Sequence, residues 1–177
     1  MLNFSKFNLN RIFEVIASSQ TIKGAQNNFF RTEIQEEAIA KYSGGQLDYV
    51  HEIGYDFVGK KGDRFESKGL HKIWKKDGTQ LAGGVVIKNT MPSAKLGADT
   101  KEQTFDYLLL WETGKRLSLH IATWDQCKDN IVRNSSGFTL QGLNKKDLVC
   151  VIDEYDRSTL NITDMGERFN SFISSLI

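Results

Sequence analysis

Proline is almost missing from this chain: Pro92 stands alone among 177 residues. No stretch is rich in glycine or serine and no segment repeats, so nothing reads as an interdomain linker or a low-complexity tract. Long apolar runs are absent too. The longest, around Tyr107-Leu108-Leu109-Leu110-Trp111, has the length of a strand and falls far short of the ~18–20 residues that cross a bilayer. Met1-Leu2-Asn3-Phe4-Ser5-Lys6 has neither the charged start nor the apolar block of a secretory signal, so a cytoplasmic protein without a membrane partner is expected. Cysteine is scarce. Cys127 and Cys150 match no metal-ligand spacing and are expected to be reduced thiols. The three histidines, His51, His71 and His120, show no ligand spacing either. Gly44-Gly45 and Gly83-Gly84 lack the following Lys-Ser/Thr of a phosphate-binding loop, which argues against nucleotide-phosphate enzymology.

What is present fits one globular domain spanning residues 1–177, long enough to bury a real core. Net charge is only +1, but it is unevenly spread. Between Lys60 and Lys101 stand ten Lys or Arg and four acids, while the remainder carries thirteen basic and eighteen acidic residues. A basic middle between acidic ends suits a polyanion partner, and suits a solvated lysine-rich hairpin equally well.

Apolar spacing predicts a helix through Leu9, Ile12, Phe13, Ile16 and Ala17, capped by Asn8. A second helix is expected from Thr32, with Gln35 completing a capping box, to Gly44-Gly45. Strands are expected at 48–53, in a central hairpin, and at 84–88. A loop at 89–93 then opens a short helix to about Gln103. An apolar hairpin follows, 105–112 and 116–123, turning at Thr113-Gly114-Lys115. Thr123 and Gln126 form a capping box for a helix expected to run through Val132, and 148–152 reads as a strand. Asp164 and Glu167 cap a last helix with a stripe of Phe169, Phe172, Ile173 and Leu176. The order of elements describes an α/β or α+β domain around a central mixed sheet flanked by helices.

The central hairpin carries most of the chemistry. Gly59-Lys60-Lys61-Gly62-Asp63 reads as its turn, which sets Val58 opposite Arg64, Phe57 opposite Phe65 and Asp56 opposite Glu66. Asp56, Val58, Arg64, Glu66 and Lys68 then share one face, and Phe57 and Phe65 share the other. Two carboxylates facing each other across a ladder destabilise a sheet. A divalent metal held by Asp56 and Glu66, with Lys68 one step along, is the sharpest explanation. The only other acid-x-Lys triplet, Asp99-Thr100-Lys101, falls outside the predicted strands and has no acid set against it.

With Tyr55-Asp56 for P-D and Glu66-Ser67-Lys68 for (D/E)-X-K, the chain resembles the PD-(D/E)XK nucleases, and within them the small type II restriction endonucleases. Tyr55 departs from the proline of the motif's name. The likeness runs from about Thr32 to Ile131. It implies a restriction-endonuclease-like fold and Mg²⁺-dependent hydrolysis of phosphodiester bonds in double-stranded DNA, with Asp56, Glu66 and the Ser67 carbonyl as metal ligands and Lys68 beside the attacking water. Hard carboxylate oxygens suit Mg²⁺. Glu37 and Glu52 are candidates for a supporting role near the metal, as are Glu33 and Glu36, although solvated surface is the commoner fate of a helical glutamate. Lys88, Asn89 and Thr90 are candidates for reading base edges, and Lys72, Lys75, Lys76 and Lys95 for contacting phosphates. A homodimer matched to a palindromic site is expected, with residues 1–31 offering either a helical dimer contact or core. Two alternatives stay open: a non-catalytic DNA-binding or protein-interaction domain whose Asp56, Glu66 and Lys68 form a surface salt-bridge cluster, and a homing, repair or junction-resolving nuclease with the same triad.

Overall fold

A computed structural model of the chain describes residues 2–23, 28–52, 54–81, 85–87, 103–134 and 137–176. Asn8 starts the first helix, α1 (Leu9–Ser19), by accepting the Arg11 N–H at 3.2 Å. Ile12, Phe13 and Ile16 along it are fully buried. Its apolar stripe therefore belongs to the core. The second helix, α2 (Asn28–Lys41), begins four residues before the expected cap, so Thr32 lies inside it. Gln35 bonds the neighbouring helix instead, its Nε2 donating to Ser19 Oγ at 2.7 Å. Gly44 and Gly45 follow α2 with φ of 64° and 70°, a left-handed exit that glycine takes without a side-chain clash.

Six strands build the main sheet: β1 (Leu47–Glu52), β2 (Tyr55–Gly59), β3 (Arg64–Leu70), β5 (Tyr107–Thr113), β6 (Leu117–Thr123) and β9 (Val149–Tyr155). They lie in the order β1-β2-β3-β5-β6-β9. Neighbours are antiparallel except β3 and β5, which run parallel in register from Phe65↔Tyr107 to Leu70↔Glu112. A smaller antiparallel sheet joins β4 (Val85–Ile87), β8 (Gly137–Leu140) and β7 (Ile131–Asn134). The expected strand at 84–88 thus pairs here and not in the main sheet. The short helix α3 (Trp124–Lys128) has the Thr123/Gln126 capping box in both directions. It does not run on to Val132: Asn130 Nδ2 donates to the Gln126 carbonyl at 2.9 Å, and the chain leaves the helix as β7. Residues 93–102 of the next expected helix lie outside the described residues, and Gln103 is not helical. The last helix, α4 (Met165–Ser175), starts where Asp164 Oδ1 accepts the Gly166 N–H at 2.9 Å. Phe172 and Leu176 of its stripe stand exposed.

Both faces of the main sheet are covered. Phe57, Phe65, Leu109, Trp111 and Leu119 pack against α1 and α2 on one side. On the other, Leu108, Leu110 and Ala122 meet Ile73, Trp74, Trp124, Ile131 and Leu140. Leu108, Leu109, Leu110 and Trp111 are all inaccessible, as a central strand covered on both faces requires. Burying each such side chain contributes roughly 1.5–3 kcal/mol. Gly69 lets the helices come close, since a Cβ there would strike Gln35 Oε1 and lie 2.9 Å from Ile16 Cγ2. The result is a mixed α/β domain with a helix-flanked sheet, and no described helix is long and apolar enough to cross a membrane.

Candidate active site

Val58↔Arg64 and Phe57↔Phe65 pair as the turn dictates, and there the β2–β3 ladder stops. Gly59 N donates to Asp63 O at 2.8 Å, so by antiparallel alternation the Ser67 N–H faces β2 and would next seek the Tyr55 carbonyl. It finds a side chain instead: Ser67 N donates to Asp56 Oδ2 at 2.7 Å. Asp56 and Glu66 are therefore not ladder partners, contrary to the register expected from the turn. The carboxylate replaces a backbone acceptor, β2 peels from β3, and a notch opens at the edge of β3.

Four polar groups meet at that notch. Glu66 is buried at 4% exposure, and its Oε1 is ion-paired with Lys68 Nζ. Glu36 reaches in from α2, buried, with hydrogen bonds to Tyr49 and to Asp56. A bond between two carboxyl groups needs a proton on one of them. Asp56 is the natural holder, since burial and then the Glu66 charge push its carboxyl up to about 8. Burial also raises Glu36, against the pull of Lys68. Burial alone would lower the Lys68 ammonium, but Glu66 and Asp56 more than offset it and hold it charged. Burial and the Glu36 charge keep the Tyr49 phenol protonated.

Three acids thus share one lysine, with Glu36 and Glu66 buried and Asp56 and Lys68 half-buried. Ionised together they would carry an excess of negative charge, which the free protein relieves by keeping a proton. A hard divalent cation would relieve it equally well, and every donor here is oxygen, so the residues fit Mg²⁺. Among the described residues no three His, Cys, Asp or Glu side chains already stand at ligating separations. A set of Asp56, Glu66 and a backbone carbonyl, completed by waters, suits an ion that gives up its waters reluctantly.

Of the supporting candidates, Glu37 is exposed on α2 and Glu52 is exposed on β1. Neither joins the site; Glu36 does. Its helical phase could have shown this, because Gln35, Glu36, Ala38 and Ile39 form the buried face of α2 while Glu37 and Lys41 point away. Nothing in the sequence marked Tyr49. Lys72, Lys75 and Lys76 are exposed just beyond β3. Lys75 N donates to Thr79 O at 2.8 Å and Gly78 N to Lys75 O at 3.1 Å, which fixes the turn bearing the last two lysines. Lys88, Asn89, Thr90 and Lys95 lie outside the described residues. His120 is buried in the sheet, and Cys127 and Cys150 are free thiols, the first buried and the second exposed.

Searches against protein-family models, curated proteins and solved structures find no match to this chain.

Proposed function

We propose that this protein is a Mg²⁺-dependent endonuclease of double-stranded DNA, a PD-(D/E)XK nuclease acting in the cytoplasm as a homodimeric restriction enzyme. One observation carries the reading: the sheet gives up a backbone hydrogen bond so that Asp56 can stand beside Glu66 and Lys68 in a half-buried notch with too little positive charge. A structural salt bridge needs no such break. Asp56, Glu66 and the Ser67 carbonyl would hold the ion. When bound, Mg²⁺ supplies Lewis acidity to the scissile phosphate and lowers the pKa of a bound water. Lys68 orients that water and offsets the charge growing on the phosphorus-centred transition state. Glu36 positions the Asp56 carboxyl through their hydrogen bond, and Tyr49 holds Glu36 in turn. Lys72, Lys75 and Lys76 lie on the exposed run that follows the catalytic strand and provide phosphate contacts.

The competing reading, a non-catalytic DNA-binding or interaction domain, draws on the Glu66–Lys68 ion pair, which already neutralises one acid. The test is to incubate the protein with long unmethylated duplex DNA, in Mg²⁺ and in EDTA, beside Lys68→Ala. Discrete fragments that need Mg²⁺ and fall by ~10²–10³ in rate in the variant, with DNA binding kept, are expected. A metal-dependent smear, or cutting confined to branched or damaged DNA, would assign the same triad to a repair or junction-resolving enzyme. Intact DNA throughout, or a variant that cuts at the wild-type rate, would refute the assignment.

A further inference from the structure

Beyond the catalytic notch the same sheet face leads into a second site. Pairing across the sheet sets Leu70 beside Glu112, Glu112 beside Ser118, and Ser118 beside Asp153, so these four share a face. Side chains alternate along β3, which puts Glu66 and Lys68 on that face as well. At ~3.3 Å per residue, this row lies roughly 13 Å from Glu66 and about half as far from Lys68. A cleft of about 620 Å³ opens over it, lined by Lys72, Lys75, Lys76, Lys115, Arg116 and Lys145.

Among the described residues only two carboxylates line the cleft with these six cations, Glu112 and Asp153, and both are engaged. Glu112 Oε2 accepts the Ile73 and Trp74 N–H groups at 2.5 and 2.9 Å. Asp153 Oδ2 accepts from Lys145 Nζ at 2.6 Å. Beneath them is an unusual set of idle polar groups. Ser118, 1% exposed, leaves its Oγ without a hydrogen-bond partner between Glu112 and Asp153. Trp74 Nε1 and His120 Nδ1 are also buried without partners, and the two rings meet edge to face with centroids 5.3 Å apart. A buried polar group left unpaired costs ~1–3 kcal/mol. Six cations lining a cleft whose only two described carboxylates are already engaged describe an anion site, and an oxygen-rich polyanion matches it.

We infer that this cleft binds phosphate, and that its phosphate belongs to the backbone of the same nucleic acid that is cut at Asp56, Glu66 and Lys68. The inference rests on the nuclease reading for its source of phosphate but not for its chemistry. A span of ~13 Å is covered by about four base steps of duplex at 3.4 Å each, so one bound duplex reaches both places. Lys115 and Arg116, in the β5–β6 turn, line the cleft and belong to no sequence motif.

The experiment measures equilibrium binding of a short labelled duplex against salt concentration, in EDTA, and again in Mg²⁺ on a Lys68→Ala background. Wild type is compared with Lys115→Ala/Arg116→Ala and, in case that turn is needed for folding, with Lys75→Ala/Lys76→Ala. Deleting one cation that neutralises a phosphate lowers the log–log salt slope by about one, so each double variant should show a slope smaller by about two and bind about tenfold more weakly. Inorganic pyrophosphate is titrated in parallel by calorimetry. If wild type binds pyrophosphate and the variants do not, while DNA binds none of them, the cleft is a phosphate site whose ligand is a small molecule, and the shared-duplex inference is overturned. DNA binding with unchanged slopes in both variants, or no binding of either probe, overturns the cleft altogether. DNA binding that depends on the cleft, in a wild type that cuts no DNA, upholds the cleft as a nucleic-acid phosphate site and overturns only its link to cutting at Asp56, Glu66 and Lys68.

Discussion

Replacing Asp56 with Asn should stabilise the metal-free protein, although it removes a carboxylate from the proposed catalytic centre. Burial and the neighbouring Glu66 charge push the folded-state pKa of Asp56 up to about 8, against ~3.9 for an unfolded aspartate. Between those pH values the folded chain keeps a proton that the unfolded chain has released. Stability therefore falls as pH rises through this window, by at most ~1.4 kcal/mol per pH unit, and levels off above about 8. By pH 7 the accumulated loss is on the order of 4 kcal/mol, a large share of the 5–15 kcal/mol typical of a domain. Asparagine cannot ionise, and its Oδ1 can still accept the Ser67 N–H that Asp56 Oδ2 now receives at 2.7 Å. Urea unfolding in EDTA, followed by tryptophan fluorescence from pH 5 to 8.5, reads the effect directly. Wild type should weaken steadily with pH and Asp56→Asn should fall less steeply, the remaining slope belonging to Glu36, with the curves parting most at the alkaline end. Mg²⁺ should then restore the wild type, because an ion that binds only the folded state stabilises it, and should do little for the variant. Equal pH slopes in the two proteins, or an Asn variant less stable at pH 7, would show that the carboxylate is at ease in its surroundings. The physical case for a cation would go with it.

Glu36→Gln keeps hydrogen-bonding atoms near Tyr49 and Asp56 but deletes a charge that raises Asp56; the alkaline edge of the wild-type stability slope should move below pH 8, and an unmoved edge would take Glu36 out of the site. Gly69→Ala drives a methyl into Gln35 and Ile16, so thermal melting should report a loss of about 1–3 kcal/mol, and an unchanged melting temperature would mean that α2 is not seated as described. Burial pushes the Cys127 thiol up to about 12, while Cys150 is exposed. A colorimetric thiol reagent should accordingly find one accessible cysteine per native chain and two after denaturation; two at once would contradict the packing around α3.

The hairpin at the heart of the molecule was legible because its turn is chemically explicit, with Gly62 adopting φ 83° as only glycine does easily. The two ladder pairs nearest that turn follow from it. The third does not, because a side chain there outcompetes a backbone carbonyl for Ser67 N, and side-chain alternation contains no term for that choice. The α3 capping box was legible for the same reason as the turn: it is local. The end of α3 was not, since Ile131 and Val132 continue an apolar pattern that helix and strand share, and the deciding bond belongs to Asn130. Glu36 was named only as one glutamate of α2 among several; choosing it over Glu37 takes one residue of helical phase, set by the buried positions Gln35, Ala38 and Ile39. The stripe of α4 misled in the opposite direction. Phe172 and Leu176 have the right spacing for a core and face solvent.

β2 meets β3 across the residues between Val58 and Arg64, and β5 meets β6 across those between Thr113 and Leu117, so each hairpin forms from neighbours in sequence. Joining them is another matter. Arg64 must find Asp106, 42 positions away, and the entropy of closing that loop is met before the pairing of β3 with β5 returns anything. Glu66 and Lys68 reach their final places only then, because Leu108 and Leu110 are their partners in the sheet. During synthesis both acids and the lysine leave the ribosome well before the strand that locks them. The arrangement of these side chains is therefore completed late, after β5 has been made. On the proposed nuclease reading, a half-made chain carries the reactive groups but has no place to use them.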